Sequence, residues 1–182
     1  PLYRGPARTG KYGQLTAGDV TVWHCLGCGA GFLPPAEDSV FDYEADAYRE
    51  EVDGGADLAH FHATHDAEQA EKLAMLGTAG LRGRIVADIG CGGGSFLDFL
   101  ASVAGETVGI EPSRTFRLAM AKRHRVFAWT ADALREYVGR VDLAVSFAVI
   151  EHVEDPLGFL REIRELLAPD GRLLISTPNR DD

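Results

Sequence analysis

Between positions 86 and 95 the chain reads Val86-Ala87-Asp88-Ile89-Gly90-Cys91-Gly92-Gly93-Gly94-Ser95, with four glycines in five residues directly after an apolar run. A chain that passes from strand to helix through such a stretch must turn sharply and enter positive φ. It also leaves a backbone bare of Cβ atoms, which another molecule can approach closely. A nucleotide-binding α/β domain is the expected outcome. The spacing narrows the choice of nucleotide. A dinucleotide fingerprint, G-x-G-x-x-G, places its third glycine at position 95, which is Ser95, whereas Gly90, Gly92 and Gly94 satisfy G-x-G-x-G. Asp88 adds a second constraint, because a carboxylate at the carboxyl end of a strand repels a pyrophosphate and receives the ammonium of an amino-acid ligand. A nicotinamide-dependent oxidoreductase stays in view as the weaker rival.

From Arg84 onward, short apolar runs alternate with amphipathic stretches, the pattern of βαβ units and a mostly parallel sheet with flanking helices. Strands are expected at Ile85 to Ile89, Thr107 to Ile110, Val126 to Trp129, Val141 to Phe147 and Arg172 to Ser176. A helix is expected from Thr64, which caps it, with Asp66 and Glu68 favouring its dipole and Gly77 and Gly80 ending it. Another starts near Pro156 and sets Leu157, Leu160, Ile163, Leu166 and Leu167 on one face, before Asp170-Gly171 turns into the last strand. Ahead of the core, residues 1–35 form a loop-rich segment in which Val20-Thr21-Val22-Trp23 alternates like a strand. Residues 36–63 form an acidic connector or lid with Phe41, Tyr43 and Tyr48, and the core runs over 64–182.

Composition excludes several classes. With 182 residues, 46% hydrophobic and 25% charged, the chain accommodates one α/β core and a small appendage. No apolar run approaches the roughly 20 residues that span a bilayer, and no signal-peptide stretch opens the chain, so a cytoplasmic location is expected. A net charge of -10 repels phosphate backbones, which favours a small-molecule acceptor over a nucleic acid. Pro1 in place of a Met start, and the stop at Asp182 directly after an expected strand, read as cut ends.

The glycine segment resembles the first motif of class I S-adenosylmethionine-dependent methyltransferases, and the resemblance extends over roughly residues 64–182. It implies a Rossmann-like fold and a cofactor site built from Asp88 and the loop residues Gly90, Cys91, Gly92 and Gly94. Glu111, followed by Pro112, matches the family's acidic residue that accepts both ribose hydroxyls. Asp132, followed by Ala133, matches the carboxylate that receives the adenine amino group. The run Asp142-Leu143-Ala144-Val145-Ser146-Phe147-Ala148-Val149-Ile150-Glu151-His152-Val153 resembles the fourth motif, so Ser146 and Phe147 are expected beside the methionine portion. Gly171 to Asn179 resembles the fifth strand and its exit. In the family two further strands cover the fifth; without them its edge is open, and pairing with a second copy as a homodimer is the expectation. Methyl transfer is a direct displacement, in which the acceptor and the methyl are held in line and, where needed, a proton is removed. His152, just past the fourth strand, is a candidate base, as are His60, His62 and His65 with Tyr48 upstream. Each histidine has an ordinary structural alternative. A non-catalytic module that holds the cofactor and acts through partners is a further rival.

The segment Trp23-His24-Cys25-Leu26-Gly27-Cys28-Gly29 resembles the second knuckle of a small zinc ribbon found ahead of some bacterial methyltransferases. Thiolates two residues apart can share one zinc ion, but a closed site needs four ligands. Cys25 and Cys28 are thus candidate ligands of a structural zinc, against an alternative in which both thiols are free.

Overall fold

The computed structural model describes residues 1–7, 15–34, 43–45 and 57–178. Near the start, β1 (Tyr3–Gly5), β2 (Val20–His24) and β3 (Gly31–Phe32) form a small antiparallel sheet. Its last turn holds the cysteine pair. The Gly29 amide donates to the Cys25 carbonyl at 2.9 Å and the Cys25 amide to Ala30 at 2.8 Å.

Five parallel strands form the core: β4 (Ile85–Ile89), β5 (Glu106–Ile110), β6 (Arg125–Phe127), β7 (Val141–Phe147) and β8 (Leu167–Ser176), in the order β6-β5-β4-β7-β8. β4 and β5 pair residue for residue from Ile85↔Glu106 to Ile89↔Ile110. The chain winds outward from β4 first one way and then the other, so β4 is the switch point where a parallel α/β sheet opens its ligand crevice. Among the described residues, β8 pairs on one side only, with β7.

Helices cover both faces, which is why the central strands are apolar almost throughout. On one face α1 (Leu58–Leu76) and α2 (Ser95–Ala101) bury Val86, Phe96, Leu100 and Val145. Beside them, α3 (Arg114–Met120) adds Phe116 and Met120 against Leu97, Phe61 and Cys91. On the other face α4 (Thr130–Tyr137) and α5 (Pro156–Leu166) cover Ala87, Ile89, Val108, Ile110 and Ala144. No helix among the described residues is long and apolar enough to cross a membrane.

Several expectations shift. Helix α1 begins at Leu58, because the Asp57 side chain accepts from the His60 amide at 2.9 Å. Thr64 lies inside the helix and donates back to the His60 carbonyl at 3.0 Å, so it is no cap. Gly77 ends the helix as expected, at φ 73 with its amide on the Leu73 carbonyl. β6 stops at Phe127, and Trp129 becomes the N-cap of α4. In α5 the Asp155 carboxylate caps the start and Ile163 and Leu166 are buried, but Leu157 is 65% exposed, since burial deepens only along the later turns. Leu167 already belongs to β8. The register then jumps from Val141↔Leu167 to Leu143↔Arg172, so Ala168 to Gly171 bulge out of the strand. A Cβ on Gly171 would stand 2.6 Å from the Val141 carbonyl oxygen.

Phe116 is fully buried, with its ring 5.1 Å from Phe61 in an edge contact that joins α3 to α1. Phe116→Ala is expected to lower the unfolding free energy by about 3–5 kcal/mol in urea titration. A loss under about 1 kcal/mol would mean this cluster is not closely packed.

Candidate cofactor and active site

The glycine loop leaves the sheet at its switch point and enters α2. Gly90 sits at φ 80, and its amide, like that of Cys91, donates to the Ile110 carbonyl, at 2.8 and 3.1 Å. A side chain at Gly90 would run into Val149. The Cys91 carbonyl accepts from the Gly94 amide at 2.9 Å, and the Cys91 side chain packs inward over Gly109, where an added Cβ would lie 2.9 Å from its sulfur. Cys91 therefore anchors the loop.

Two carboxylates flank it. Glu111, 1% exposed at the end of β5, accepts from the Gly92 amide at 2.9 Å on one oxygen and from the Ser113 amide at 2.8 Å on the other. Arg117 donates to the Glu111 carbonyl at 2.9 Å and to that of Pro112, which holds this bend against α3. Asp88, 4% exposed at the end of β4, accepts no hydrogen bond from the described residues. Burial pushes its carboxyl up to about 7, the Lys72 ammonium draws it down, and Glu111 pushes it up further. A buried acid left in this state is suited to a cationic group. The sequence pattern did not single out Lys72. Its ammonium stands 3.4 Å from Glu68 and 5.1 Å from the centre of the Phe147 ring. The i,i+4 pair with Glu68 has the appearance of a solvated surface contact, and only the docking of α1 places it beside β4. Gln69, one turn earlier and 3% exposed, donates to the His65 carbonyl at 2.7 Å, while its own side-chain oxygen has no partner among the described residues.

Asp132 lies half-exposed in the first turn of α4, 3.7 Å from Arg135, with Ala133 buried beside it. At the end of β7, Ser146 is fully buried with an unpartnered hydroxyl oxygen among the described residues, and Phe147 lies on the Asp88 side of the sheet, in edge contact with Phe96 at 5.4 Å. His152 ends a 3-10 turn, Ile150–His152, directly past this strand.

The upstream histidines separate. His62 meets the glycine loop, with Nε2 3.1 Å from the Gly93 carbonyl and 3.8 Å from Asp98. His65 leans on the Phe61 ring at 4.3 Å and on Glu68 at 3.6 Å. His60 is exposed in the first turn of α1. Tyr48 lies outside the described residues. At Cys25, amides of Cys28 and then Gly27, with the Cys28 thiol, lower the pKa of the sulfur. Among the described residues no group of three or more His, Cys, Asp or Glu side chains gathers for a metal, so this pair by itself does not make the closed zinc site expected.

A parallel sheet with a glycine loop at its switch point and acids at the ends of its first two strands defines the class I, S-adenosylmethionine-dependent methyltransferase fold. The chain belongs to the methyltransferase domain family, whose model matches residues 61–182. This removes the nicotinamide rival. The chain is 32% identical over 148 residues to a ubiquinone biosynthesis O-methyltransferase of Cupriavidus pinatubonensis, covering 72% of this chain and 59% of that protein. It is 37% identical over 111 residues to one of Ruegeria pomeroyi, covering 57% and 43%. The chain thus spans about half the length of these relatives. Among solved structures it resembles an S-adenosylmethionine-dependent methyltransferase from Archaeoglobus fulgidus, with TM-score 0.53 and 19% identity over 74% of this chain and 58% of that one. It also resembles a chain from the complex between the Haloferax volcanii Trm112 methyltransferase activator and a putative methyltransferase, with TM-score 0.57 and 23% identity over 76% and 62%.

Burial holds the Asp88 proton more tightly in the folded chain than in the unfolded one, where a carboxyl titrates near 4. The stability from the protonated acid is complete below pH of about 4 and is lost as pH rises through about 7. Asp88→Asn removes this dependence. Its stability relative to the unsubstituted chain should therefore rise between pH of about 4 and about 7, with a slope of up to about 1.4 kcal/mol for each step of one in pH. Parallel urea-unfolding curves for the two proteins across that range would contradict it.

Proposed function

We propose that the chain binds S-adenosylmethionine across the glycine loop and directs its methyl group to a hydroxyl of a small-molecule acceptor. The observation that carries this is the pair Asp88 and Glu111, buried at the ends of neighbouring strands on either side of a loop without side chains. When bound, the cofactor supplies a methyl group activated by a sulfonium. Asp88 receives the ammonium of its amino-acid end, and Lys72 turns from Asp88 to the carboxylate of that end. Glu111, oriented by the Gly92 and Ser113 amides, keeps lone pairs on both oxygens for the two ribose hydroxyls. Asp132, in the first turn of α4, is the acceptor in this reading for the adenine amino group. Ser146 and Phe147 line the methionine portion, and His152 takes the acceptor proton.

The hydroxyl acceptor is favoured by the relatives, which are O-methyltransferases. The zinc proposed at Cys25 and Cys28 would need further ligands from beyond the described residues. A structural role suits it, since each amide aimed at Cys25 favours the thiolate.

In calorimetric titration with S-adenosylmethionine, Asp88→Ala and Glu111→Ala should each weaken binding by about tenfold or more, the loss expected for charge-assisted hydrogen bonds. Lys72→Met should weaken it by a smaller factor, about threefold to tenfold, because its site is partly open to solvent. Unchanged affinity in both acid variants, with the far-ultraviolet dichroism of the folded chain retained, would overturn the assignment.

A further inference from the structure

The glycine loop is held from α1 as well as from β5. His62 places Nε2 3.1 Å from the Gly93 carbonyl, and the same nitrogen stands 3.8 Å from a carboxylate oxygen of Asp98, in the first turn of α2. A nitrogen that faces two acceptors must itself carry the hydrogen, so the imidazole donates to Gly93 and its tautomer is fixed. The peptide unit between Gly93 and Gly94 is thereby held at both ends. Its carbonyl is taken by His62, and its amide donates to the Cys91 carbonyl at 2.9 Å. A peptide with glycine on each side, the second at φ 83, has little steric hindrance of its own against flipping.

Asp98 is itself fixed from behind. One of its oxygens accepts from His124 Nε2 at 2.9 Å, and the oxygen that faces His62 also accepts from Arg123. The His124 side chain is 1% exposed, with Nδ1 2.8 Å from the Thr107 hydroxyl of β5, so the carboxylate is tied into the sheet. The His62 side chain is 24% exposed, and packing alone does not set its ring.

We propose that His62 and Asp98 are positioning residues for the cofactor loop: Asp98 orients the imidazole, and His62 locks the Gly93–Gly94 peptide in the orientation that receives S-adenosylmethionine. This rests on the cofactor reading above and adds to it the device that keeps the loop competent. Neither side chain has to touch the ligand. A loop without the lock divides its time between peptide orientations, and apparent affinity falls by the fraction that is competent. His62, a candidate base by sequence, serves the loop in this reading.

The test is calorimetric titration of the full chain with S-adenosylmethionine. His62→Ala should weaken binding about tenfold, the loss for a competent fraction of about one in ten. Alanine is a good helix former, so α1 stays intact, which far-ultraviolet dichroism checks. His62→Gln, whose side-chain amide keeps an N–H donor, should stay within about threefold of the unsubstituted chain. Asp98→Asn should weaken binding about threefold where His62 is present and add no loss in a His62→Ala background, because Asp98 acts through the imidazole. Unchanged affinity in His62→Ala, no recovery in His62→Gln, or an undiminished Asp98→Asn loss in the His62→Ala background would overturn the proposal. Failure of the unsubstituted chain to bind S-adenosylmethionine would instead overturn the cofactor reading, and this inference with it.

Discussion

Glu111 holds the Gly92 amide with one oxygen and the Ser113 amide with the other, so a single buried carboxylate ties the glycine loop to the head of α3. The glycine loop and the bend into α3 take their positions from that tie. It keeps the loop folded over Ile110, whose carbonyl already accepts the Gly90 and Cys91 amides. Asp88, across the loop, has the opposite environment: equal burial, no donor among the described residues, and a carboxyl pushed up to about 7. One acid is held by two amides of the protein, and the other is in a state suited to a group that brings its own positive charge. A buried carboxylate is costly unless it is neutralised or paired, so keeping Asp88 at the end of the central strand lowers the stability of the fold at neutral pH.

The loop and α1 are mutually dependent. Leu58 and Phe61 seat on Gly92 and Gly93, His62 reaches the Gly93 carbonyl, and Ser95 donates to Asp66. Further along, Lys72 comes over Phe147. The same face of one helix thus closes the apolar cluster around Phe116 and forms a wall beside Asp88. Apolar side chains in its first turn fix the helix, and Lys72, three turns later, stands by Asp88. Gln69, buried on this helix, has a side-chain oxygen without a partner among the described residues.

Features that depend on local chemistry were legible in the sequence. β4, the glycine loop, β7 and the Pro156 start of α5 lie where periodicity and turn residues place them, because each is decided within about ten residues of chain. The start of α1 was not, since Thr64 and Asp57 are equally good caps on paper and the choice falls to whichever lets Phe61 reach the loop. Lys72 looked like half of a surface pair, because helix docking leaves no periodic mark. The bulge at Ala168 to Gly171 was hidden for a similar reason: Asp170-Gly171 signals a turn, but the register on both sides of it is set by β7.

The turn after β7 joins the two halves of the site mechanically. Holding Ala148 in the left-handed region costs about 1–2 kcal/mol, which a free loop would relieve by relaxing. It does not relax because the Ser176 carbonyl holds its amide on one side and Gly90 blocks Val149 on the other. The position of His152 is therefore dictated jointly by the glycine loop and by the last strand of the sheet. The absence of a side chain at Gly90 thus lets the turn bearing the candidate base lie directly against the glycine loop.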